Sequence, residues 1–334
     1  MKNLFIAVAI IASFNSCTHE DISKNHDVYV AGTQSNGRVE VATYWKNGVA
    51  FPLSDGSKGS TAYAIVVVGS DVYVAGAELD ETRSRRIAKY WKNGEAISLT
   101  DGTKSSSAYA ITVKANEVYV AGFENDGTHD VAKYWKNGVE IVLTDGSQNA
   151  TAAAIEVVGM DVHVLINEYN TSLERQIIKY WKNGSVVSLT DGTNSAGANS
   201  MAVNGDDIYV AGYEDNIGKY WKNGVSVSLT DTNKTMTGSA QGIAVIGSDV
   251  HLALNEGQVY GNYFAKYWRN GSEITLTKSN SSTNALAIAD EDVYLCGVTY
   301  SPLGYSIATY WKNGVAINLT DGPYYAIATS IFVK

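Results

Sequence analysis

Tyr44-Trp45-Lys46-Asn47-Gly48 decides the architecture of this chain, because the chain repeats it seven times. The other copies begin at Tyr90, Tyr134, Tyr180, Tyr220, Tyr267 and Tyr310, and the one departure is Arg269 in place of lysine. They contain every tryptophan, and successive tryptophans are 46, 44, 46, 40, 47 and 43 residues apart. A period near 44 residues, made of short apolar segments, marks a radial repeat fold: each unit is a small sheet that buries its faces only against its neighbours. Each copy ends in Asn-Gly, which supplies the positive backbone dihedrals of a two-residue hairpin turn. The motif therefore reads as the end of a strand followed by a tight turn.

The second unit shows what surrounds the motif. Residues 62 to 68 are largely apolar and meet Gly69-Ser70, a hairpin signal, before the run Asp71-Val72-Tyr73-Val74-Ala75-Gly76. Ile87-Ala88-Lys89-Tyr90-Trp91 then turns through Lys92-Asn93-Gly94 into Ala96-Ile97-Ser98-Leu99-Thr100. These segments predict four antiparallel strands, a to d. The first repeat starts at strand b with Asp27-Val28-Tyr29-Val30, whereas residues 325 to 333 form a strand a with nothing after it. Pairing the two ends would complete a blade and leave no open ring. The expected fold is all-β: a seven-bladed β-propeller of four antiparallel strands per blade, closed by its C-terminal strand and filling residues 27 to 334 as one domain.

Ahead of this domain, the apolar run from residue 4 to 14 has the length of a signal-peptide core and is too short to span a bilayer. Phe14-Asn15-Ser16-Cys17 resembles the lipobox of bacterial lipoproteins in its relaxed, Bacteroidetes-like form, and Glu20-Asp21 resembles the surface-export signal of such proteins. That resemblance implies a signal peptide over residues 1 to 16, lipidation of Cys17 and a polar tether over 17 to 26. It places the protein in the bacterial envelope as an outer-membrane lipoprotein open to surface display, touching the membrane through its anchor alone. The repeats themselves, Ala-Ile-x-Val with Asp-Val-Tyr-Val-Ala-Gly and Tyr-Trp-Lys-Asn-Gly-Val with Leu-Thr-Asp-Gly, resemble extracellular β-propeller repeats of bacterial surface proteins, which implies architecture and carries no catalytic motif. A formal charge of −9 with 18% charged residues argues against a nucleic-acid partner. Cys296 stands where five of the other six repeats have alanine and reads as a small buried residue. A monomer is expected.

A residue present in all seven units most economically serves the blade, so the tryptophans read as packing between blades. The basic residues before Asn-Gly (Lys46, Lys92, Lys136, Lys182, Lys222, Arg269 and Lys312) face an acid at the start of every strand b, from Asp27 to Asp292, and these should pair as exposed ions. The opposite face carries the d–a and b–c connections, where the repeat breaks down and binding normally resides. It holds acids in the b–c loops from Glu78, Glu124, Glu168 and Glu214 onward. Asp55, Asp101, Asp145, Asp191, Asp231 and Asp321 start its d–a turns, with Lys278 breaking the series. Those aspartates serve either calcium or ordinary turns. The second position of strand a reads Tyr325, Tyr63, Tyr109, Ala153, Asn199, Gln241, Asn284 round the ring, an arc of aromatics facing an arc of amides at the channel mouth. That set suits a neutral polar ligand such as a sugar. His163 and His251 replace tyrosine within strand b and read as wall residues, and no nucleophile or phosphate-loop motif appears. The expected function is non-catalytic binding of a glycan through the loop-rich face, without a cofactor. The alternatives are a protein-protein scaffold in the envelope and a hydrolase or lyase with an acidic loop-face site.

Overall fold

The computed structural model describes residues 26 to 230, 236 to 258, 262 to 277 and 279 to 334. The signal peptide, Cys17 and nearly all of the tether lie outside the described residues, as do Asp231 and Lys278. Within them, 28 strands form seven four-stranded antiparallel sheets, and no helix is present. Blade 1 combines Val28–Ser35, Glu40–Lys46 and Val49–Pro52 with the C-terminal strand Ala326–Val333, and blades 2 to 7 cover residues 60–98, 106–142, 150–188, 196–228, 236–275 and 281–318. The expected closure is present: Val28 pairs with Val333 and Val30 with Ile331, and Asp27 and Lys334 exchange backbone hydrogen bonds of 2.8 and 3.0 Å.

Strand b is the buried spine of each blade. Val30, Val74, Val120, Val164, Val210, Leu252 and Leu295, one from each, are all 1% exposed or less. Strand d is the outer edge, four residues long in every blade, which keeps the unpaired backbone short. The apolar core is correspondingly divided into seven clusters, each shared by two adjacent blades. Trp91 of blade 2 packs with Ala42 and Leu53 of blade 1, Trp135 with Ala88 and Leu99 of blade 2, and Trp45 with Tyr294 and Cys296 of blade 7. Each tryptophan is thus a wedge driven into the preceding blade. Burying about 200 Å² of indole is worth roughly 5 kcal/mol in transfer, before the entropy of ordering the chain is subtracted.

The Lys-Asn-Gly turn is built the same way seven times. Its asparagine takes φ between 46° and 52°, with the following glycine also positive, as a two-residue hairpin requires. In blade 2 the Asn93 Oδ1 accepts the Val72 N–H at 2.9 Å and its Nδ2 donates to Asp71 at 2.9 Å. Lys92 reaches the same aspartate at 2.9 Å and lies 5.2 Å from the centre of the Tyr73 ring. All seven expected acid–base pairs form, from Lys46–Asp27 to Lys312–Asp292. The basic ring is therefore neutralised in place, and the hairpin face presents paired charges.

Candidate functional site

Every strand a carries a β-bulge at the same place, and the bulged residues line the central channel. The ladder skips Tyr63, Tyr109, Ala153, Asn199, Gln241, Asn284 and, in blade 1, Thr329. A bulge leaves one residue out of the ladder and re-aims its side chain. All seven of these residues line a single central cavity of about 230 Å³. Six of the sequence-predicted positions are brought together in this way; Tyr325 is not. In blade 1 Ala328 pairs with Gly32 as Ala62 does with Gly76, so the counterpart of Tyr63 is Thr329, four residues further on. The bulge is also the fourth residue of Ser60–Val68, not the second, because strand a begins two residues earlier than its apolar pattern does.

The ring divides chemically. Tyr63 and Tyr109 meet edge to face with centroids 5.1 Å apart, and Tyr109 tilts against Phe123 at 5.8 Å. Burial, with Tyr63 second, pushes the Tyr109 phenol up to about 12, so it remains a neutral donor. The Arg86 guanidinium donates to the Tyr63 hydroxyl at 2.6 Å and fixes it. On the other side, Asn199 donates to the Ala240 carbonyl at 2.9 Å, Asn284 to Ala328 at 2.7 Å and Thr329 to Ala62 at 2.9 Å. Each acceptor is the residue just ahead of the next blade's bulge, so these side chains stitch neighbouring blades together. The Oδ1 of both asparagines remains an open acceptor, and Gln241 has no hydrogen-bond partner among the described residues. No bulge residue is charged.

The glutamates of the expected acidic rim are ion-paired, and its aspartates are held in turns. Glu78, Glu124, Glu168 and Glu214 belong to strand b and pair with strand c lysines: Lys89 at 2.5 Å, Lys133 at 2.7 Å, Lys179 at 2.5 Å and Lys219 at 2.5 Å, with Glu256–Lys266 equivalent in blade 6. The signal was legible as Lys before Tyr-Trp in the repeats that carry Glu at the end of strand b. Asp55, Asp101, Asp145 and Asp191 each accept the N–H and hydroxyl of the residue two further on, which holds their carboxyls below the usual range. They are spent on turns, and among the described residues no three acidic, imidazole or thiol groups gather as a metal would require. Asp80 and Asp126 likewise accept N–H groups of their own loops. His163 and His251 are buried wall residues whose Nδ1 atoms lie 2.6 Å from the Tyr180 and Tyr267 hydroxyls, and burial pushes both imidazoles below their ordinary range. The Cys296 thiol is fully buried and raised by that burial.

Tyr325 instead belongs to the rim of the loop face. With Tyr300, Gly304, Tyr305 and Ser306 it lines an open cavity of about 260 Å³. Burial and then the Glu40 carboxylate raise its phenol, with smaller contributions from Tyr300 and Tyr63. Blades 7 and 1, which form this sector, lack the Glu–Lys pair of the other five. Thr299 and Thr309 occupy its place in blade 7, 2.8 Å apart, and Gln34 and Thr43 do so in blade 1, where a cavity of about 370 Å³ opens beside Ser35 and Asn36.

No protein-family model matches the chain, and no curated protein matches it. Solved structures do share its architecture. A Mycobacterium tuberculosis puromycin-hydrolysing peptidase superposes with a TM-score of 0.62 at 12% identity, over 89% of this chain and 52% of that one. The β-propeller domain of the Trilobed protease from Pyrococcus furiosus, described as having an open velcro topology, gives 0.53 at 12% over 89% and 95%. The Pyrococcus horikoshii acylaminoacyl peptidase gives 0.52 at 12% over 84% and 48%. The chain spans about half the length of both whole peptidases. At these identities the likeness is one of fold.

Proposed function

We propose that this propeller is a non-catalytic binding module that takes a neutral glycan at the channel mouth on its loop-rich face. The observation that carries the reading is the uncharged ring of bulge residues, with Tyr63 and Tyr109 on one arc and Asn199, Gln241, Asn284 and Thr329 opposite. Flat aromatic faces accept the C–H face of a sugar, while amide and hydroxyl groups supply the donors and acceptors its hydroxyls need. Ala153 leaves one side of the ring open. Lipidation at Cys17 and residence in the bacterial envelope complete the proposal. Binding to a glycan array by residues 27 to 334, lost in Tyr63→Ala/Tyr109→Ala with melting unchanged, is the expected result. A domain that retains no glycan refutes the reading and turns the search to envelope proteins.

A second reading draws on the comparison with propellers that accompany peptidases. In it the propeller serves a hydrolase by admitting or guiding its substrate, the peptidase chemistry lying elsewhere. Peptide hydrolysis by the purified chain, abolished by substitutions on the loop face, would favour catalysis within the propeller itself.

A further inference from the structure

The tyrosines on the loop face do not stop at the channel. Tyr109 meets Tyr63 edge to face, Tyr63 is held by Arg86, and the next aromatics in that direction are Tyr325 of blade 1 and Tyr300 and Tyr305 of blade 7. Tyr325 leads directly into the C-terminal strand, whose Thr329 hydroxyl donates to the Ala62 carbonyl and whose Ser330 hydroxyl accepts from the Ile65 N–H, so the strand that follows Tyr325 lies against the one that carries Tyr63. Tyr300, Tyr305 and Tyr325 are 43%, 41% and 45% exposed, yet they surround one cavity, and their hydroxyls have no protein partner among the described residues.

Resting on the glycan reading above, we infer that Tyr109, Tyr63, Tyr325, Tyr300 and Tyr305 form one aromatic track that holds successive units of an extended neutral oligosaccharide, running from the channel to the rim between blades 7 and 1.

Two independent features of this sector fit that ligand. The Glu–Lys pairs that occupy strands b and c in blades 2 to 6 are replaced in blades 7 and 1 by Thr299, Thr309, Gln34 and Thr43, so an uncharged chain crosses these strands without desolvating their ion pairs, and Arg86 on the Tyr63 hydroxyl and Glu40 near Tyr325 remain as charged neighbours of the tyrosines. The cavity in blade 1 adjoins Tyr325 through Ser35, whose N–H donates to the Tyr325 carbonyl at 2.8 Å, and its lining includes the side chains of Gln34 and Thr43, with Asp55 its one charged group. A proline-rich peptide also docks on aromatic grooves. Here the groups facing the channel rings are the amides of Asn199, Gln241 and Asn284 and the Thr329 hydroxyl, which match a polyol better than a polyproline helix.

The test is an array of immobilised neutral glycans carrying each chain type from monosaccharide to hexasaccharide, probed with the unmodified chain, the channel variant Tyr63→Ala/Tyr109→Ala and the rim variant Tyr300→Ala/Tyr305→Ala/Tyr325→Ala. The expected result is retention that rises with chain length, a rim variant weakened roughly tenfold toward hexasaccharides but unchanged toward disaccharides, and a channel variant weakened toward both. The rim positions are exposed, and Tyr→Phe at the same three positions checks that folding is not the cause. Length-independent retention, or a rim variant equal to the unmodified chain on hexasaccharides, overturns the track while leaving the channel site standing. Retention of none of the glycans overturns both, as does displacement of the bound hexasaccharide by a polyproline peptide at equal concentration.

Discussion

Replacing Asn93 separates the two tasks of the Lys-Asn-Gly turn. Asn93 sits at φ 52° and its Oδ1 accepts the half-buried Val72 N–H at 2.9 Å. In Asn93→Ala the Cβ-bearing residue without a local partner pays about 1–2 kcal/mol for the left-handed conformation, and loss of the acceptor costs about 1 kcal/mol more. The expected total is about 2–3 kcal/mol. Asn93→Gly relieves the conformational cost but loses the same hydrogen bond and loosens the unfolded chain, for about 1.5–2 kcal/mol. Urea titration of residues 27 to 334 reads both, with the slope against denaturant expected to stay constant because the surface exposed on unfolding is the same. Adding a second Asn→Ala in a distant blade, at Asn223 for example, should add its own loss independently. An Ala variant more stable than the Gly variant, or either one as stable as the parent, would refute the account of this turn as a hydrogen-bonded left-handed clamp.

Deleting residues 326 to 334 should abolish the cooperative thermal transition and expose the chain to protease, because it removes Ala326, Ala328 and Ile331 from the Trp45 cluster and opens the strand b ladder; a truncated chain that melts like the parent contradicts ring closure. Glu78→Ala leaves the Lys89 ammonium, 14% exposed, without its partner and should cost about 3 kcal/mol in a urea titration. Lys92→Ala, at an exposed pair, should shift the midpoint little, and equal effects from the two would undo the distinction between the rings of charge. Burial raises Glu156 from 4.5 to about 7, against one hydrogen bond from the Val203 N–H. The native state then holds the proton more tightly than the unfolded chain, so the stability that Glu156 contributes is fully present below about pH 4.5 and is lost, by about 3 kcal/mol, as pH rises through about 7. Glu156→Gln should flatten that profile, and a parent-like slope in the variant would assign the effect elsewhere.

Most of the architecture was written in the repeats. The Asn-Gly turns, the acid at the head of each strand b and the tryptophan of strand c recur in fixed register, so reading one blade read them all. The exceptions arose where local pattern and pairing disagree. Tyr325-Ala326-Ile327 copies Tyr63-Ala64-Ile65 in sequence, but Phe332 faces Tyr29 as Val66 faces Tyr73, and this places Ile331 opposite Val30 as Ile65 is opposite Val74. Counting back from Lys334, the counterpart of Val68, would have assigned Thr329 to the channel. An even slip preserves which side chains face inward, so the apolar alternation could not expose the error. The bulges were invisible for a related reason: an extra residue in a strand that reads Ala-Tyr-Ala or Ala-Asn-Ser leaves no compositional mark. The loop-face glutamates misled because acids near a turn look solvated, whereas partners across the strand pair, nine to eleven residues away in blades 2 to 4, had already claimed them.

The meeting of Asp27 with Lys334 has one more consequence. Both chain ends leave the ring on the hairpin side, where His26 already rests against Asp290 and Tyr294 of blade 7. Anything that holds the protein by residues 1 to 25 therefore pulls on the side of neutralised charges, and the tyrosine side points away from the point of attachment. The strand pairing that closes the ring thus also fixes which face an attachment through residue 26 would meet, the hairpin face, with the loop face opposite.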